Sequence, residues 1–506
     1  MKKIDDFLNG ITMYRLVMYE LFAFVVAGLA FSFFGFLPFS PFFLIYSFCF
    51  ITAITWLSNR IFSRTFHAPS NAESVYITAF ILVLIVTPPS ALIDTHYLAL
   101  AFWASTWAMA SKYIVAIGKK HVFNPAGFGV CITGIVLGLS ASWWVGTPLL
   151  VPFVLIGGLL MVRKVRRFDL WAAFIAVFSV GTLYDSVVLG HGVLSTLAHS
   201  FLYAPAFFFA TVMLTEPMTT PPDKFYRTLY GALVGFLFLP NIHISSFYLS
   251  PETALLVGNL FSYIVSPKYK PRLVLQERVQ LSRDVYEFVF VPPRKVSFAP
   301  GQYMEWTLAH KKPDSRGIRR YFTIASSPTE KELRLGVKFY EKGSTYKKAL
   351  LSLRPGMHLF ASQLAGDFTL PKNKKEKLAF VAGGIGSTPF RSMIKYLLDK
   401  KERRDIVFLY SNRSPEDAVY KELFDRAERE LGIRTVYVFT DEVVPSVGSG
   451  PKKIDAPTIA EQVPDHRERI FYISGPQKMV EAIDGTLRAM GTHASRIKKD
   501  YFPGFA

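Results

Sequence analysis

The chain has 506 residues, a formal net charge of +19, 51% apolar residues and two cysteines. At about 150 residues per domain this admits two or three domains, and Cys49 and Cys131 can supply neither the four ligands of an iron–sulfur cluster nor a disulfide framework. Apolar residues crowd before residue 267 and charges after it, which predicts a membrane-embedded half followed by a soluble one. The basic excess then belongs on loops beside anionic lipid; no basic stripe interleaved with aromatics lies outside those loops, so nucleic acid is not expected as a partner.

A bilayer core about 30 Å thick needs about 20 mostly apolar residues per helix. Candidate spans fall near 15–36, 41–59, 74–89, 96–116, 127–143, 148–162, 168–189, 197–215, 228–240 and 252–266. With the N-terminus inside, the cytosolic loops hold Arg60 and Arg64, Lys119 and Lys120, Arg163, Lys164, Arg166 and Arg167, Lys224 and Arg227, then Lys268, Lys270 and Arg272. The opposite loops carry no lysine or arginine. This alternation predicts about ten transmembrane helices in the cytoplasmic (inner) membrane, with both termini cytosolic. The first span is long and no small-residue cleavage site follows it, which argues against a signal peptide.

Three polar clusters interrupt the apolar half on its cytosolic side: His67-Ala-Pro-Ser-Asn71-Ala-Glu73, Phe123-Asn124-Pro125-Ala126, and Thr215-Glu216-Pro217-Met218-Thr219-Thr220. Each has a proline that stops a helix and leaves backbone groups to be satisfied. Taken singly, each also reads as ordinary helix capping. As an ordered set they resemble the RnfD-type membrane component of Rnf electron transport complexes and the NqrB-type membrane component of the sodium-pumping NADH:quinone reductase, over roughly residues 10–265.

That resemblance implies a membrane domain of two inverted five-helix halves holding FMN or riboflavin, with Asn71, Glu73, Asn124 and Glu216 as candidate cofactor-binding residues. The family often attaches FMN through a phosphoester to a threonine in a Ser/Thr-Gly-Ala-Thr motif on the outer side. The counterpart here is Thr147 in Trp143-Trp144-Val145-Gly146-Thr147-Pro148-Leu149, which lacks the motif's serine and alanine. The other reading of this stretch is a tryptophan belt followed by a helix start.

Beyond residue 272 the pattern turns to short alternating strands. Leu273-Val-Leu and Val285-Tyr-Glu-Phe-Val-Phe-Val open an antiparallel β-barrel, and Phe298-Ala-Pro-Gly-Gln-Tyr303 closes a turn. After residue 376, buried strands such as Lys377-Leu-Ala-Phe-Val-Ala and Asp405-Ile-Val-Phe-Leu-Tyr alternate with helical stretches, the pattern of a doubly wound α/β domain. The expected division is 1–267 membrane domain, 273–372 β-barrel and 373–506 α/β nucleotide-binding domain.

Arg320-Tyr321-Phe322-Thr323-Ile324-Ala325-Ser326-Ser327-Pro328 resembles the Arg-x-Tyr-Ser/Thr motif of the ferredoxin–NADP reductase family. The resemblance implies FAD: Arg320, a planar fork of donors, on its pyrophosphate, Thr323 near the reactive edge of the isoalloxazine, Ser326 beside it, and Phe322 in place of the family's tyrosine. An alternative register uses Arg319 and Tyr321. Gly343-Ser344-Thr345 follows a strand and combines close backbone approach with hydroxyls at a helix start, the expected second pyrophosphate contact.

Val381-Ala-Gly383-Gly384-Ile-Gly386-Ser-Thr388-Pro389 follows a strand and opens a helix, so free amides face an anion. It resembles the family's loop for NADH or NADPH. Tyr472-Ile-Ser474-Gly475-Pro476 stands where the family often has Cys-Gly-Pro; hydride transfer needs no thiol, and Ser474 keeps a small polar group by the nicotinamide. In the terminal Tyr501-Phe502-Pro503-Gly504-Phe505, Phe502 is the ring expected to stack on the flavin, with a plain anchoring tail as the other reading. Ser411-Asn412-Arg413 is the candidate 2′-phosphate contact, but a lone arginine is as often solvated, and NADH is favoured over NADPH.

Together these motifs predict an oxidoreductase that passes electrons from NAD(P)H through FAD into a flavin-containing membrane domain. The acceptor is expected to be quinone or an extracytoplasmic acceptor, with redox partner subunits as further candidates. Two alternatives are a haem-based transmembrane reductase of the ferric-reductase type, which would need histidine pairs within spans where only His199 lies well inside one, and a transporter that senses NAD(P)H.

Overall fold

The computed structural model describes residues 4–502 except 6, 9–10, 68–71, 118–119, 245–246, 267–269, 315–316, 342 and 442–452. The chain divides into two compact units, Met1–Tyr269 and Lys270–Ala506.

The first unit is helical: α1 (Met13–Phe33), α2 (Pro41–Thr65), α3 (Ala72–Ile85), α4 (Thr95–Ile114), α5 (Pro125–Leu137), α6 (Val151–Val165), α7 (Phe168–Val188), α8 (Val193–Leu202), α9 (Ala206–Phe208, continuing as a π-helical turn Phe209–Met213), α10 (Lys224–Leu237) and α11 (Pro251–Val265). Among the described residues three helices are long and apolar enough to cross a membrane, α1, α2 and α7, or four if α8 and α9, bent by 59° at their junction, make one span. The expectation of about ten spans is therefore corrected.

The physical reason is chain punctuation. Val86-Thr87-Pro88-Pro89 stops α3 at 14 residues. Pro125 starts α5, and Gly138, at φ 70°, ends it after 13 residues. At about 1.5 Å per residue such helices reach about 20 Å, short of a bilayer core of about 30 Å. The short helices are instead wrapped by their neighbours. In α3, Ala79, Leu82, Val83, Leu84 and Ile85 are all fully buried, as an apolar all-round helix must be. Large apolar side chains on the flanking elements stay open, Ile93, Leu194, Phe33 and Val187 among them, each more than 70% exposed.

The second unit has two sheets. The first is antiparallel, made by β1 (Arg272–Ser282), β2 (Val285–Val291), β3 (Tyr303–Thr307), β4 (Arg319–Thr323), β5 (Leu333–Lys338) and β6 (His358–Ala365), in the order β4-β3-β6-β1-β2-β5. Its interior holds Phe288, Phe290, Trp306 and Leu335, the inward positions of alternating strands. The short helix α12 (Thr345–Leu351) packs Tyr346 and Leu350 into it.

The second sheet is parallel, made by β7 (Leu378–Gly383), β8 (Ile406–Asn412), β9 (Arg434–Phe439), β10 (Ile470–Pro476) and β11 (Ile497–Phe502), in the order β9-β8-β7-β10-β11. Helices α13 (Thr388–Lys400), α14 (Lys421–Leu431), α15 (Ala456–Gln462) and α16 (Gln477–Ala489) complete it. The strand order reverses between β7 and β10, so a crevice opens beyond the carboxyl ends of these two strands, the place where open α/β sheets bind ligands.

Candidate active site

On β4 successive side chains alternate in direction, so Arg320 and Phe322 share one face. Both meet Tyr346: the Arg320 guanidinium carbon lies 5.0 Å from the ring centroid and the Phe322 ring 6.2 Å from it. Tyr346 is itself anchored by donating to the Trp306 carbonyl at 3.1 Å. Thr323 ends the strand on the other face, buried, and its Oγ1 donates to Asp500 Oδ2 at 3.5 Å. Asp500 pairs in register with Ser474 across β10 and β11. Thr323, Ser474 and Asp500 are thus brought to one junction between the antiparallel and parallel sheets. Asp500 was not singled out from the sequence, since a lone aspartate before aromatic residues carries no signal of its own.

Ser474 Oγ is fully buried and has no hydrogen-bond partner among the described residues. Beside it, Gly386 is forced: a Cβ there would run into the Ser474 carbonyl and Gly475. Gly383 is pressed between the Met479 sulfur and Pro476. Gly384 differs, with φ 52° and open space where a side chain would be, so its backbone turns left-handed toward the crevice. Thr388 and Pro389 start α13, with Thr388 Oγ1 donating to the Ile385 carbonyl at 3.1 Å. Tyr410 donates to Ser387 Oγ at 3.2 Å from beneath the loop, and burial pushes its pKa up to about 12, so it stays a neutral donor.

The remaining residues of the antiparallel half are engaged internally. Ser326 Oγ accepts from the Arg334 amide at 3.1 Å, and its carbonyl accepts from Ser392 Oγ at 2.6 Å. Gly343 closes a turn on the Tyr340 carbonyl at 2.9 Å. Ser344 caps α12 by accepting from the Lys347 amide at 3.3 Å. Thr345 Oγ1 lies 3.0 Å from His310 Nε2 and accepts from the Asp314 amide at 2.9 Å.

A seam of bonds joins the two halves of the site. Arg391 of α13, 7% exposed, donates to the Ala325 carbonyl at 3.0 Å and to Glu330 Oε1 at 3.0 Å. Glu330 Oε2 also accepts the Ser327 amide at 2.6 Å. Burial pushes the Glu330 pKa up, but the Arg391 bond and charge outweigh it and hold the carboxyl below its ordinary value. Sequence reading missed Arg391 and Glu330; the signal was an arginine two residues past a helix-starting proline, on a face otherwise apolar.

In the helical unit, Asn124 and Glu216 come together. Asn124 caps α5, its Oδ1 accepting from the Gly127 amide at 3.0 Å while its Nδ2 donates to Glu216 Oε2 at 2.8 Å. Its own amide donates to Asn259 Oδ1 at 2.8 Å, and Asn259 donates onward to Tyr230 at 2.9 Å. Lys112 donates to Ser74 and to Thr78 Oγ1, each at 3.0 Å. Lys112, Asn259 and Tyr230 were missed, although a lysine inside an apolar run was a visible cue.

Glu73 pairs elsewhere, with Arg15 at 3.0 Å. Thr147 follows the Trp143–Glu252 bond of 3.2 Å, and its Oγ1 is sealed from solvent. A phosphoester there needs that oxygen to be reachable. Asn71 and the side chain of Phe502 lie outside the described residues.

Comparison with known proteins agrees with this geometry. The Oxidoreductase FAD-binding domain model matches residues 272–369 and the Oxidoreductase NAD-binding domain model matches residues 380–485. The chain is similar to a flavohemoprotein of Oceanobacillus iheyensis, 24% identical over 234 residues, 45% of this chain and 57% of that one. It is also similar to a glycine betaine monooxygenase reductase subunit of Chromohalobacter salexigens, 26% identical over 231 residues, covering 44% of this chain and 62% of that one. The chain thus spans less than two thirds of the length of these relatives. Among solved structures, a cytochrome P450 reductase from Amycolatopsis aligns at 24% identity and a TM-score of 0.41, over 46% of this chain and 69% of that one. The second unit carries an NAD(P)H-dependent FAD oxidoreductase domain of the ferredoxin–NADP reductase type. The first unit is a helical region with three apolar helices of spanning length.

Proposed function

We propose that the chain is a membrane oxidoreductase that takes electrons from NAD(P)H at the second unit and relays them through a flavin-holding helical unit toward quinone or an extracytoplasmic acceptor. The observation that carries it is the junction of Thr323 with Asp500 and Ser474, where the reactive ends of a flavin and a nicotinamide would meet.

The residues present fit the two cofactors. Gly384 leaves an open left-handed turn at the start of the 13-residue α13, suited to a dinucleotide phosphate. The buried Ser474 Oγ lacks a partner among the described residues, so a carboxamide of the nicotinamide gives it one. Arg320, fixed on Tyr346, offers a bidentate fork to the FAD pyrophosphate. When bound, FAD supplies the conversion of a two-electron hydride input into one-electron output. The chain's own part is to orient: Asp500 accepts the hydrogen bond of the Thr323 hydroxyl and so turns the hydroxyl oxygen, an acceptor, toward the flavin edge, and the Gly383–Gly386 turn admits the dinucleotide against β10.

The division into 1–267, 273–372 and 373–506 follows from this reading. For the first domain, the open apolar side chains of its rim support burial in the cytoplasmic membrane, and the buried Asn124–Glu216–Asn259 network supports a polar cofactor inside it. The ordered Asn-x-Glu, Asn-Pro-Ala and Glu-Pro-Met-Thr motifs, similar to those of the Rnf and sodium-pumping reductase membrane components, support FMN or riboflavin as that cofactor.

Flavin content of the purified full chain tests the proposal, measured before and after acid precipitation with intact mass in parallel. FAD together with a second flavin, and reduction of both by NADH or NADPH, is expected. FAD alone, with quinone reduced at an undiminished rate, sinks the relay.

A further inference from the structure

The pyrophosphate-facing surface of the antiparallel half already contains an anion, supplied by the chain itself. Asp314 Oδ2 accepts from the Thr345 amide at 3.1 Å. Asp314 Oδ1 lies 3.5 Å from Arg320 Nη2. The arrangement is held from three sides. The Asp314 amide donates to Thr345 Oγ1 at 2.9 Å, and His310 Nε2 lies 3.0 Å from the same hydroxyl. Arg320 is oriented by Tyr346 and by donating to the carbonyls of Gly317 at 3.2 Å and Arg319 at 2.6 Å.

A carboxylate and a diphosphate ask for the same partners: a guanidinium fork and backbone amides, met by oxygens that carry negative charge. Here the Asp314 carboxylate holds one of those amides and lies beside the fork. A diphosphate at Arg320 would stand beside the Asp314 carboxylate, and like charges a few ångströms apart disfavour each other's ionised form.

We infer that Asp314 is an affinity-setting residue of the FAD site, a built-in competitor whose carboxylate opposes the pyrophosphate at Arg320 and the Thr345 amide. This rests on the reading that the second unit binds FAD. The competition lowers affinity for FAD without adding any contact to it.

Asparagine at position 314 keeps the backbone amide and an acceptor for Thr345 while removing the charge, so it separates competition from scaffold. Full-length protein in detergent is stripped of flavin and titrated with FAD, following the quenching of flavin fluorescence. Asp314→Asn is expected to bind FAD about tenfold more tightly than wild type, the size expected for one charge-assisted bond. Asp314→Ser, with a smaller acceptor, is expected to shift in the same direction and serves if the asparagine protein proves unfolded by its melting curve. Weaker binding overturns the inference and makes Asp314 a direct ligand, for instance of the ribose hydroxyls. Unchanged binding overturns it too and makes the residue a bystander. Arg320→Gln distinguishes the two levels. If wild type binds FAD and loses it with Arg320→Gln, the FAD reading stands and the sign of the Asp314 effect decides the inference. If wild type takes up no FAD, both fall together.

Discussion

Arg391 and Glu330 form a buried ion pair that ties the helix behind the dinucleotide loop to the turn behind Thr323. Both partners are nearly excluded from solvent, at 9% and 12% side-chain exposure, so neither can fall back on water if the other is removed. Breaking such a pair from one side typically costs about 3–5 kcal/mol. Arg391→Gln is therefore expected to lower the denaturant midpoint of the second unit's transition in the full chain. Among molecules that remain folded with FAD bound, the seam between the half-sites is loosened, and the first-order rate of flavin reduction by NAD(P)H should fall about tenfold or more. A reduction rate equal to wild type in FAD-replete Arg391→Gln would argue that the pair has no positioning role.

The same pair gives a pH signature. Glu330 has its carboxyl held below the ordinary value of 4.5 in the folded state, so the unfolded chain binds its proton more readily. Its contribution to stability is present above the unfolded pKa and is lost as pH falls through the lower, folded one. Melting temperature measured from pH 6 downward should drop across that window in wild type. Glu330→Gln should begin lower and lose this share of the slope. Parallel curves for the two proteins would contradict the assignment.

Thr323 and Asp500 make a graded test of the junction. Thr323→Val removes the hydroxyl and keeps the shape, so FAD should stay bound while hydride transfer slows about 10²-fold, the range typical of a positioned polar group. Asp500→Asn leaves an acceptor and should cost less. Stopped-flow flavin reduction reads both, and equal losses would place the function in Asp500 alone.

The glycines of the dinucleotide loop should not respond alike. Gly384→Ala meets open space but must adopt φ 52°, a strain of about 1–2 kcal/mol. Gly386→Ala drives its Cβ into the Ser474 and Gly475 backbone, which has nowhere to move. Retention on an immobilised adenine nucleotide should weaken for the first and vanish for the second. The reverse ranking would mean that the loop is seated differently on β10.

In the helical unit, Asn124→Leu removes an N-cap and leaves Glu216 without its amide donor. The cap alone is worth about 1 kcal/mol, and the loss of one of the two side-chain donors to Glu216, leaving Thr219 at 3.3 Å, adds to it. Loss of any flavin held by the helical unit, with FAD in the second unit unaffected, is the expected result of a difference spectrum. Retention of both flavins would separate Asn124 from cofactor binding.

The second unit was the legible half. Alternation in Val285-Tyr-Glu-Phe-Val-Phe-Val and the all-apolar Leu378-Ala-Phe-Val-Ala each specify a strand by local pattern, and Gly383–Pro389 reads as a turn with a helix behind it because its residue types permit little else. Partnerships between distant segments were not legible. Nothing near Asp500 announces Thr323, 177 positions away, and nothing near Asp314 announces Thr345, 31 positions away. In the helical half, hydropathy located apolar segments correctly but equated apolar with spanning. The prolines at 125 and 217 were seen as local breaks, whereas the effect of such residues is on length, which decides whether a helix can cross. Burial of α3 on every face shows why its composition misled: an apolar run serves a protein interior as well as a lipid one.

Ser474 has a consequence for how this chemistry is maintained. Both cysteines, Cys49 and Cys131, belong to the helical unit, so the reductase half contains no thiol at all. Reduced flavins meeting oxygen generate peroxide, and the oxidation ladder of cysteine begins with a nearby thiolate. A hydroxyl has no such ladder. On the proposed reading, the junction turns over in air without recruiting a thiol-repair system to keep it competent. It also stays silent to maleimides, which leaves any cysteine introduced there as a unique chemical handle in that half of the chain.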